Sequence, residues 1–269
     1  MTRAPAPAKI NLALVVGPTR ADGKHEVVTV MQRIDLCDRI TVETAPSLDV
    51  DGFADDTIVR RSLAALADAA RAQPGWRVTI EKHVPVAAGL GGGSSDAATA
   101  LRLANETLEQ PLADNRLRAL AGSLGADVPF FLTPGPQLGT GDGSDLARLD
   151  LPQDYFVLVV LPNDARKSST SDVYAAFAGE DGFEERRATL LAALDGATRA
   201  RDLAHLPPND LATSPLTGEL RTLGAFRADV SGAGPAVYGL FHHRAHAQSA
   251  ADALKPRGRV WITVPAWYG

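Results

Sequence analysis

The order of apolar and polar residues divides the chain into short segments of two periods. Ile10-Asn11-Leu12-Ala13-Leu14-Val15-Val16 is apolar and partly alternating, and Gly17-Pro18 and Ala21-Asp22-Gly23 then punctuate it, which predicts a strand followed by a turn-rich loop. Val27 to Ile34 and Arg39 to Glu43 continue with strand-like composition. Ile58, Leu63, Leu66, Ala67 and Ala70 recur at helical spacing, with Asp55-Asp56-Thr57 as cap candidates and Pro74-Gly75 as the stop. Trp76 to Lys82 alternates, which predicts a strand with one buried face. From Pro85 the chain reads as strand, glycine loop and helix, the helix running through Ala97 to Asn105. Leu117, Leu120, Ala121 and Leu124 predict another helix over 115–124 that stops at Gly125.

Residues 134–145 are rich in Gly, Pro and Asp, which predicts turns near a domain junction. Tyr155 to Leu161 is a continuous apolar run, as expected of a strand covered on both faces. Helical stretches follow around 170–177 and 184–194, then strands at 225–230, 236–241 and 260–264, with an alanine-rich helix between the last two. Strands interleaved with helices in this way give an α+β or α/β two-layer architecture, and no internal repeat is present.

Composition narrows the function. With 45% hydrophobic and 22% charged residues the chain is an ordinary globular one, and 269 residues suit two domains or one large one. Lys+Arg 27 against Asp+Glu 32 leaves a net charge of −5, so no global basic field favours nucleic acid as a partner. Cys37 is the only cysteine, which excludes an intramolecular disulfide and any multi-cysteine zinc site and fits a reduced, cytoplasmic compartment. The first residues carry no apolar signal core, and no later run approaches the ~18 apolar residues of a membrane span, so no membrane partner is expected.

The chemistry concentrates at Pro85-Val86-Ala87-Ala88-Gly89-Leu90-Gly91-Gly92-Gly93-Ser94-Ser95-Asp96. A strand that ends in such a run and opens a helix gathers unpaired N–H groups and the positive end of the helix dipole in one place. Glycines let the backbone approach phosphate oxygens, and Ser94 and Ser95 add hydroxyl donors. A flexible turn would explain one or two glycines, but not four with paired serines at a helix start. No lysine follows as the Walker pattern requires, and Ser94 stands where the dinucleotide fingerprint needs its third glycine. The His-Arg-Asp and Asp-Phe-Gly triplets of protein kinases are absent, which leaves a different class of phosphotransferase.

Three stretches, in order, make the chain resemble the galactokinase, homoserine kinase, mevalonate kinase and phosphomevalonate kinase (GHMP) superfamily. They are Pro7-Ala8-Lys9-Ile10-Asn11-Leu12, Pro85 to Ser95, and Val230-Ser231-Gly232-Ala233-Gly234-Pro235. Arg20-Ala21-Asp22-Gly23 with His25, Gly125 to Phe131, Ser169-Thr170 with Val173-Tyr174, and Asn209-Asp210-Leu211 extend the likeness over nearly the whole chain. They point within the superfamily to the branch whose acceptor alcohol carries a cytidine diphosphate.

The resemblance implies an ATP-dependent kinase of small-molecule alcohols that works with Mg²⁺. It implies an N-terminal domain like domain 2 of ribosomal protein S5 over 1–150, a ferredoxin-like C-terminal domain over 151–269, and an active site between them. Asp127 would be the base and Lys9 its partner, which is sensible because a carboxylate beside an ammonium stays ionised and phosphoryl transfer depends mostly on positioning and charge. The ATP site would comprise Lys82, Pro85, Gly89, Leu90, Gly91, Gly92, Gly93, Ser94 and Ser95. Asn11, Lys24 and His25 would contact substrate, Ser95 or Asp96 would help hold Mg²⁺, and Ser231 to Gly234 would form a second loop against the first.

Two positions depart from the branch pattern: Lys24 stands where it has a cytosine-stacking tyrosine, and Thr57 where it has an asparagine near adenine. Two further readings therefore remain open, a GHMP kinase for another small alcohol of the mevalonate, phosphomevalonate or homoserine kind, and an idle nucleotide-binding module. His242, His243 and His246 include an i, i+4 pair, but without a neighbouring carboxylate or cysteine they read as a solvated helix start. Cys37 reads as structural, and the Arg186-Arg187 and Arg199-Ala200-Arg201 clusters as solvated helix faces.

Overall fold

The computed structural model describes residues 1–53, 58–73, 75–165, 170–179 and 181–266, and within the helix at 170–175 all but the side chain of Ser171. The caps expected at Asp55-Asp56-Thr57, the stop at Pro74 and the motif residue Ser169 lie outside the described residues. Where three separate runs of strand character were expected, the apolar N-terminal stretch forms one long hairpin, β1 (Thr2–Thr19) with β2 (His25–Thr44). Its register shifts between Pro7 and Ala8, where the partner on β2 jumps from Cys37 to Ile34, so polar interruptions in the sequence become bulges rather than strand ends. The second edge of β2 takes β4 (Trp76–Glu81) along 39–44 and β5 (Gln137–Thr140) along 29–31. β3 (Asp49–Asp51) pairs parallel with β4, and β6 (Asp145–Arg148) pairs with β5. β5 and the tip of that last hairpin lie inside the stretch expected to be turns; Gly141 and Gly143, both at positive φ, make the reversal at the tip.

Three helices cover one face of this sheet: α1 (Ile58–Ala70), α2 (Gly92–Asn105) and α3 (Asp114–Leu124). Val59, Leu63, Leu66, Leu101 and Leu117 pack there on Ile40, Val42, Val78 and Ile80. A second, antiparallel sheet follows, in the order β10-β7-β9-β8. Its strands are β7 (Phe156–Pro162), β8 (Arg227–Val230), β9 (Val237–Phe241) and β10 (Gly258–Thr263). Val157 to Val160 are all buried, as the unbroken apolar run required. One face packs on α6 (Pro215–Thr222) and α7 (Arg244–Leu254), and the other, with α5 (Phe183–Asp195), shares a core with the inner face of the β1–β2 hairpin. The short α4 (Thr170–Ala175) carries Tyr174 against Leu14, Val16 and Val27 of that hairpin. Among the described residues no helix is long and apolar enough to cross a membrane.

Both sheets hold the glycine loop. Val84, Ala88 and Leu90 belong to the core shared by the sheets, and burying one such side chain is worth roughly 1.5–3 kcal/mol. Lys9 N–H of β1 donates to the Leu90 carbonyl at 2.9 Å, and Ala236 N–H, before β9, donates to the Ala88 carbonyl at 3.0 Å. A loop anchored from two sides in this way is a fixed surface.

Candidate active site

A cleft of about 840 Å³ opens beside the glycine loop, at the upper end of the usual size for a ligand site. It brings together Lys9, Asn11, Lys24, His25, Lys82, Pro85, Gly89, Leu90, Gly91, Gly92, Gly93, Ser94 and Asp127. Ser95 and Asp96 stand apart: both are fully buried behind the loop, near the start of α2.

Gly91 caps α2 in the left-handed region at φ 69, and Ser95 N–H is the first to bond back, to the Gly91 carbonyl at 2.9 Å. The N–H groups of the preceding turn have no intrahelical acceptor and define the anion cradle. The second glycine loop packs against this one. A Cβ on Gly89 would lie 2.2 Å from the Ser231 carbonyl oxygen, and Ser231 Oγ donates to the Gly89 carbonyl at 2.9 Å. Gly91 is equally enclosed, since a Cβ there would stand 3.0 Å from both Lys9 Cγ and the Phe131 ring. Gly93 has room: its nearest neighbour would be Ile58 Cγ2 at 3.7 Å.

Beside the loop, where its stem packs against Gly91, Lys9 Nζ lies 3.6 Å from Asp127 Oδ2, with the lysine side chain 5% and the carboxylate 40% exposed. Asn11, on the same face of β1 two residues on, fixes the ammonium by accepting from it at 2.6 Å. Asn11 Nδ2 in turn donates to Thr29 Oγ1 at 2.8 Å, and Thr29 donates to the Ala13 carbonyl at 2.8 Å. The lysine is therefore held, whereas the carboxylate faces the cleft with room for a hydroxyl. Tyr174 closes this end; burial pushes its phenol up, and the negative charge of Asp127 adds to the effect.

Lys82, at the end of the alternating run, is drawn inward. Its Nζ lies 2.5 Å from Asp38 Oδ2 and 2.7 Å from Asp96 Oδ2. Asp38 shares the inward phase of β2 with Ile40 and Val42, and its other oxygen accepts from the N–H groups of His83 and Val84 at 2.5 and 2.8 Å. Burial pushes the Asp96 carboxyl up to about 8 against the pull of Lys82, and the neighbouring Asp38 adds to the rise. Ser95 Oγ and Asp96 Oδ1 are both buried without a hydrogen-bond partner. Both lie buried behind the loop, and the Asp96 carboxyl is paired with Lys82, so neither is presented to a cation in the cleft.

Several cleft residues escaped sequence reasoning. Phe53 lies with its ring centroid 5.8 Å from Lys82 Nζ and lines the cleft with Ile58, and no sequence pattern signals it. Asp142 lines the other end and pairs with Lys24, a contact across 118 residues. Arg186 is no solvated helix face: it binds Asp210 Oδ2 at 3.1 Å and the Val16 carbonyl at 2.9 Å, just before the Gly17 carbonyl that accepts from His25. His242 precedes α7 and stacks on Phe226 at 4.4 Å, so it shares no helix face with His246. Among the described residues no group of three or more His, Cys, Asp or Glu could hold a metal.

The chain is similar to known proteins along almost its whole length. Residues 57–135 match the model of the GHMP kinases N terminal domain, and 208–259 that of the GHMP kinases C terminal. The 4-diphosphocytidyl-2-C-methyl-D-erythritol kinase of Geobacter sulfurreducens is 37% identical over 96% of this chain and 95% of its own. That of Desulfitobacterium hafniense is 34% identical over 95% and 93%. A crystal structure of 4-(cytidine 5'-diphospho)-2C-methyl-D-erythritol kinase superposes with a TM-score of 0.81 at 34% identity, covering 98% of this chain and all of that one. A mevalonate kinase structure shares the fold at 14% identity, with a TM-score of 0.75 and coverage of 98% and 99%.

Proposed function

The chain belongs to the GHMP kinase family, and from that premise we propose that it transfers the γ-phosphate of ATP to the 2-hydroxyl of 4-diphosphocytidyl-2-C-methyl-D-erythritol, a step of non-mevalonate isoprenoid synthesis. The observation that carries the reading is the Lys9–Asp127 pair set 3.6 Å apart beside the glycine loop, in a chain whose relatives of that name cover it almost end to end. The same pair argues against an idle nucleotide-binding module.

In this reading the first-turn N–H groups of α2 and the Ser94 hydroxyl bind the phosphates of ATP. Lys82, kept charged by Asp38 and Asp96, supports the phosphate side, and Phe53 and Ile58 border the base. Asp127 takes the proton of the attacking hydroxyl, and Lys9, tied to Asn11, orients its oxygen and stabilises the charge that develops there. Ser95 and Asp96, buried behind the loop, are not presented to a metal ion in the cleft, so no step is assigned to Mg²⁺. We also place a domain division at 150/151: each sheet falls wholly on one side of it, with β6 ending at Arg148 and β7 starting at Phe156.

The test is ADP release with Mg-ATP and a panel of the cytidyl compound, mevalonate, phosphomevalonate and homoserine. Release with the cytidyl compound alone is expected. Faster release with one of the other alcohols would replace the substrate assignment, and release with none would replace the kinase assignment.

A further inference from the structure

Asn209 lies outside the cleft, buried where the strand that carries Lys9 meets the second glycine loop. It bridges in parallel to Leu14 of β1, and the next residue strengthens the join: Asp210 N–H donates to the Leu14 carbonyl and Asp210 Oδ2 accepts from Val16 N–H, both at 2.9 Å. The Asn209 side chain turns the other way. Its Nδ2 donates to the Val230 carbonyl at 3.0 Å and to the Gly232 carbonyl at 2.6 Å, which uses both N–H groups of the amide. Its Oδ1 accepts from Leu211 N–H at 2.8 Å, and its main-chain N–H donates to Asp229 Oδ2 at 3.0 Å. Asp229 is paired in turn with Arg227 at 3.2 Å, and that guanidinium holds three carbonyls of the segment 203–207. A buried side chain bonded on every side in this way has one orientation.

Gly232 lies against the Lys9–Asn11 pair. A Cβ there would stand 3.4 Å from both Lys9 Nζ and Asn11 Oδ1, so the loop backbone covers the 2.6 Å hydrogen bond that fixes the ammonium. Without the Nδ2 donors the Val230 and Gly232 carbonyls would lose that bond inside the protein, and the Gly232 peptide would turn outward to reach water. The space opened beside Lys9 would let the ammonium drift, and a misplacement of about 1 Å can cost ~10²-fold in rate. The Ser231 side of the loop has its own ties, Oγ to the Gly89 carbonyl and N–H to the Ala236 carbonyl, so the phosphate cradle would keep its support.

We propose that Asn209 is a positioning residue for phosphoryl transfer: it holds the Gly232 carbonyl so that the second glycine loop keeps Lys9 and Asn11 in register with the acceptor hydroxyl. The inference rests on the kinase reading above, in which Lys9 acts on that hydroxyl, and not on which alcohol carries it. Asn209 touches neither substrate; its effect passes through Gly232 to Lys9.

Steady-state kinetics and melting temperatures of Asn209→Ala, Asn209→Asp and Gly232→Ala, each alone and combined with Lys9→Ala, decide it, with ATP and the alcohol of the panel that wild type phosphorylates. Asn209→Asp keeps the size of the side chain and the acceptor for Leu211 N–H but loses both donors. The two Asn209 variants should lower kcat about tenfold and leave KM for ATP within twofold. In the Lys9→Ala background the same changes should alter kcat less than twofold, because the group they act through is gone. A residue that serves stability alone would lower the melting temperature and leave the kcat of the folded protein unchanged, which overturns the proposal. An undiminished tenfold factor in the Lys9→Ala background overturns it too, as does a loss confined to KM for ATP, which would mean a route through the phosphate cradle. If neither Asn209 variant folds, Gly232→Ala decides: a loss of kcat of about fivefold or more that vanishes in the Lys9→Ala background supports the proposal, and wild-type kcat overturns it. Wild type that phosphorylates no alcohol of the panel, or Lys9→Ala with full kcat, would overturn the kinase reading and the proposal together.

Discussion

Lys9 and Asp127 are unequal partners: the ammonium is buried and held by Asn11, while the carboxylate is 40% exposed and free to meet a substrate. Asp127→Asn should therefore keep the fold and ATP affinity and lower turnover by about 10²–10⁴, the usual contribution of a positioned base. Lys9→Ala should do comparable damage, and the double variant should lose far less than the product of the two, because both act on one hydroxyl. Initial rates of ADP formation measure this, and full additivity would mean the residues work separately. At Asp142, burial pushes the carboxyl up, but the hydrogen bonds from Lys24 and Ser144 outweigh it and hold it down at about 2. The unfolded value is near 3.9, so the stability from this group is present above about pH 4 and lost as the pH falls toward 2. With Lys24 exposed the contribution is about 1 kcal/mol, or roughly 2–4 °C for a chain of this size. Asp142→Asn should lower the melting temperature at pH 6 and by less at pH 3; equal losses at both would contradict the assignment.

At the scale of elements, the glycine loop separates positions that protect the fold from positions that serve the ligand. Gly89 sits at φ +79 with no space for a Cβ against Ser231, so Gly89→Ala should cost several kcal/mol of stability. Gly93 lies in the first turn of α2 with open space, so Gly93→Ala should hold or raise the melting temperature by the usual gain for a helical Gly→Ala change, about 0.5–1 kcal/mol. Its methyl would still obstruct the phosphate approach and raise KM for ATP about tenfold. An unchanged KM would remove Gly93 from the cradle. The loop was legible in sequence because strand, glycines and helix formers follow one another within about twenty residues. The β5–β6 hairpin was not, since Gly139, Gly141 and Gly143 read as turn and its pairing with β2 is made by residues more than a hundred positions away. α6 was missed because Pro215-Leu216-Thr217-Gly218 carries turn residues, and its helix is held by Leu216 and Leu220 against β8 and β9. Asp38 could not be singled out, because its role depends on Lys82 and Asp96, which meet it only in the folded chain.

In the whole molecule the two sheets meet at the glycine loop, and the cleft takes one wall from each: Lys9 and Asn11 come from the hairpin, Gly232 and Ala233 from the loop between β8 and β9. Tyr238 of β9 donates to the Asn11 carbonyl at 2.9 Å, so the second sheet also fixes the strand that carries Lys9. A chain cut between the sheets would lose both the anchor of the loop and the support of that strand. The most direct measurement of the central claim is phosphorus NMR of the acceptor after incubation of the intact protein with Mg-ATP and 4-diphosphocytidyl-2-C-methyl-D-erythritol. One new phosphomonoester signal per ADP formed, growing about a hundredfold or more slowly with Asp127→Asn, is the predicted result. ADP without a phosphorylated acceptor, or an equal signal from Asp127→Asn, would contradict the account.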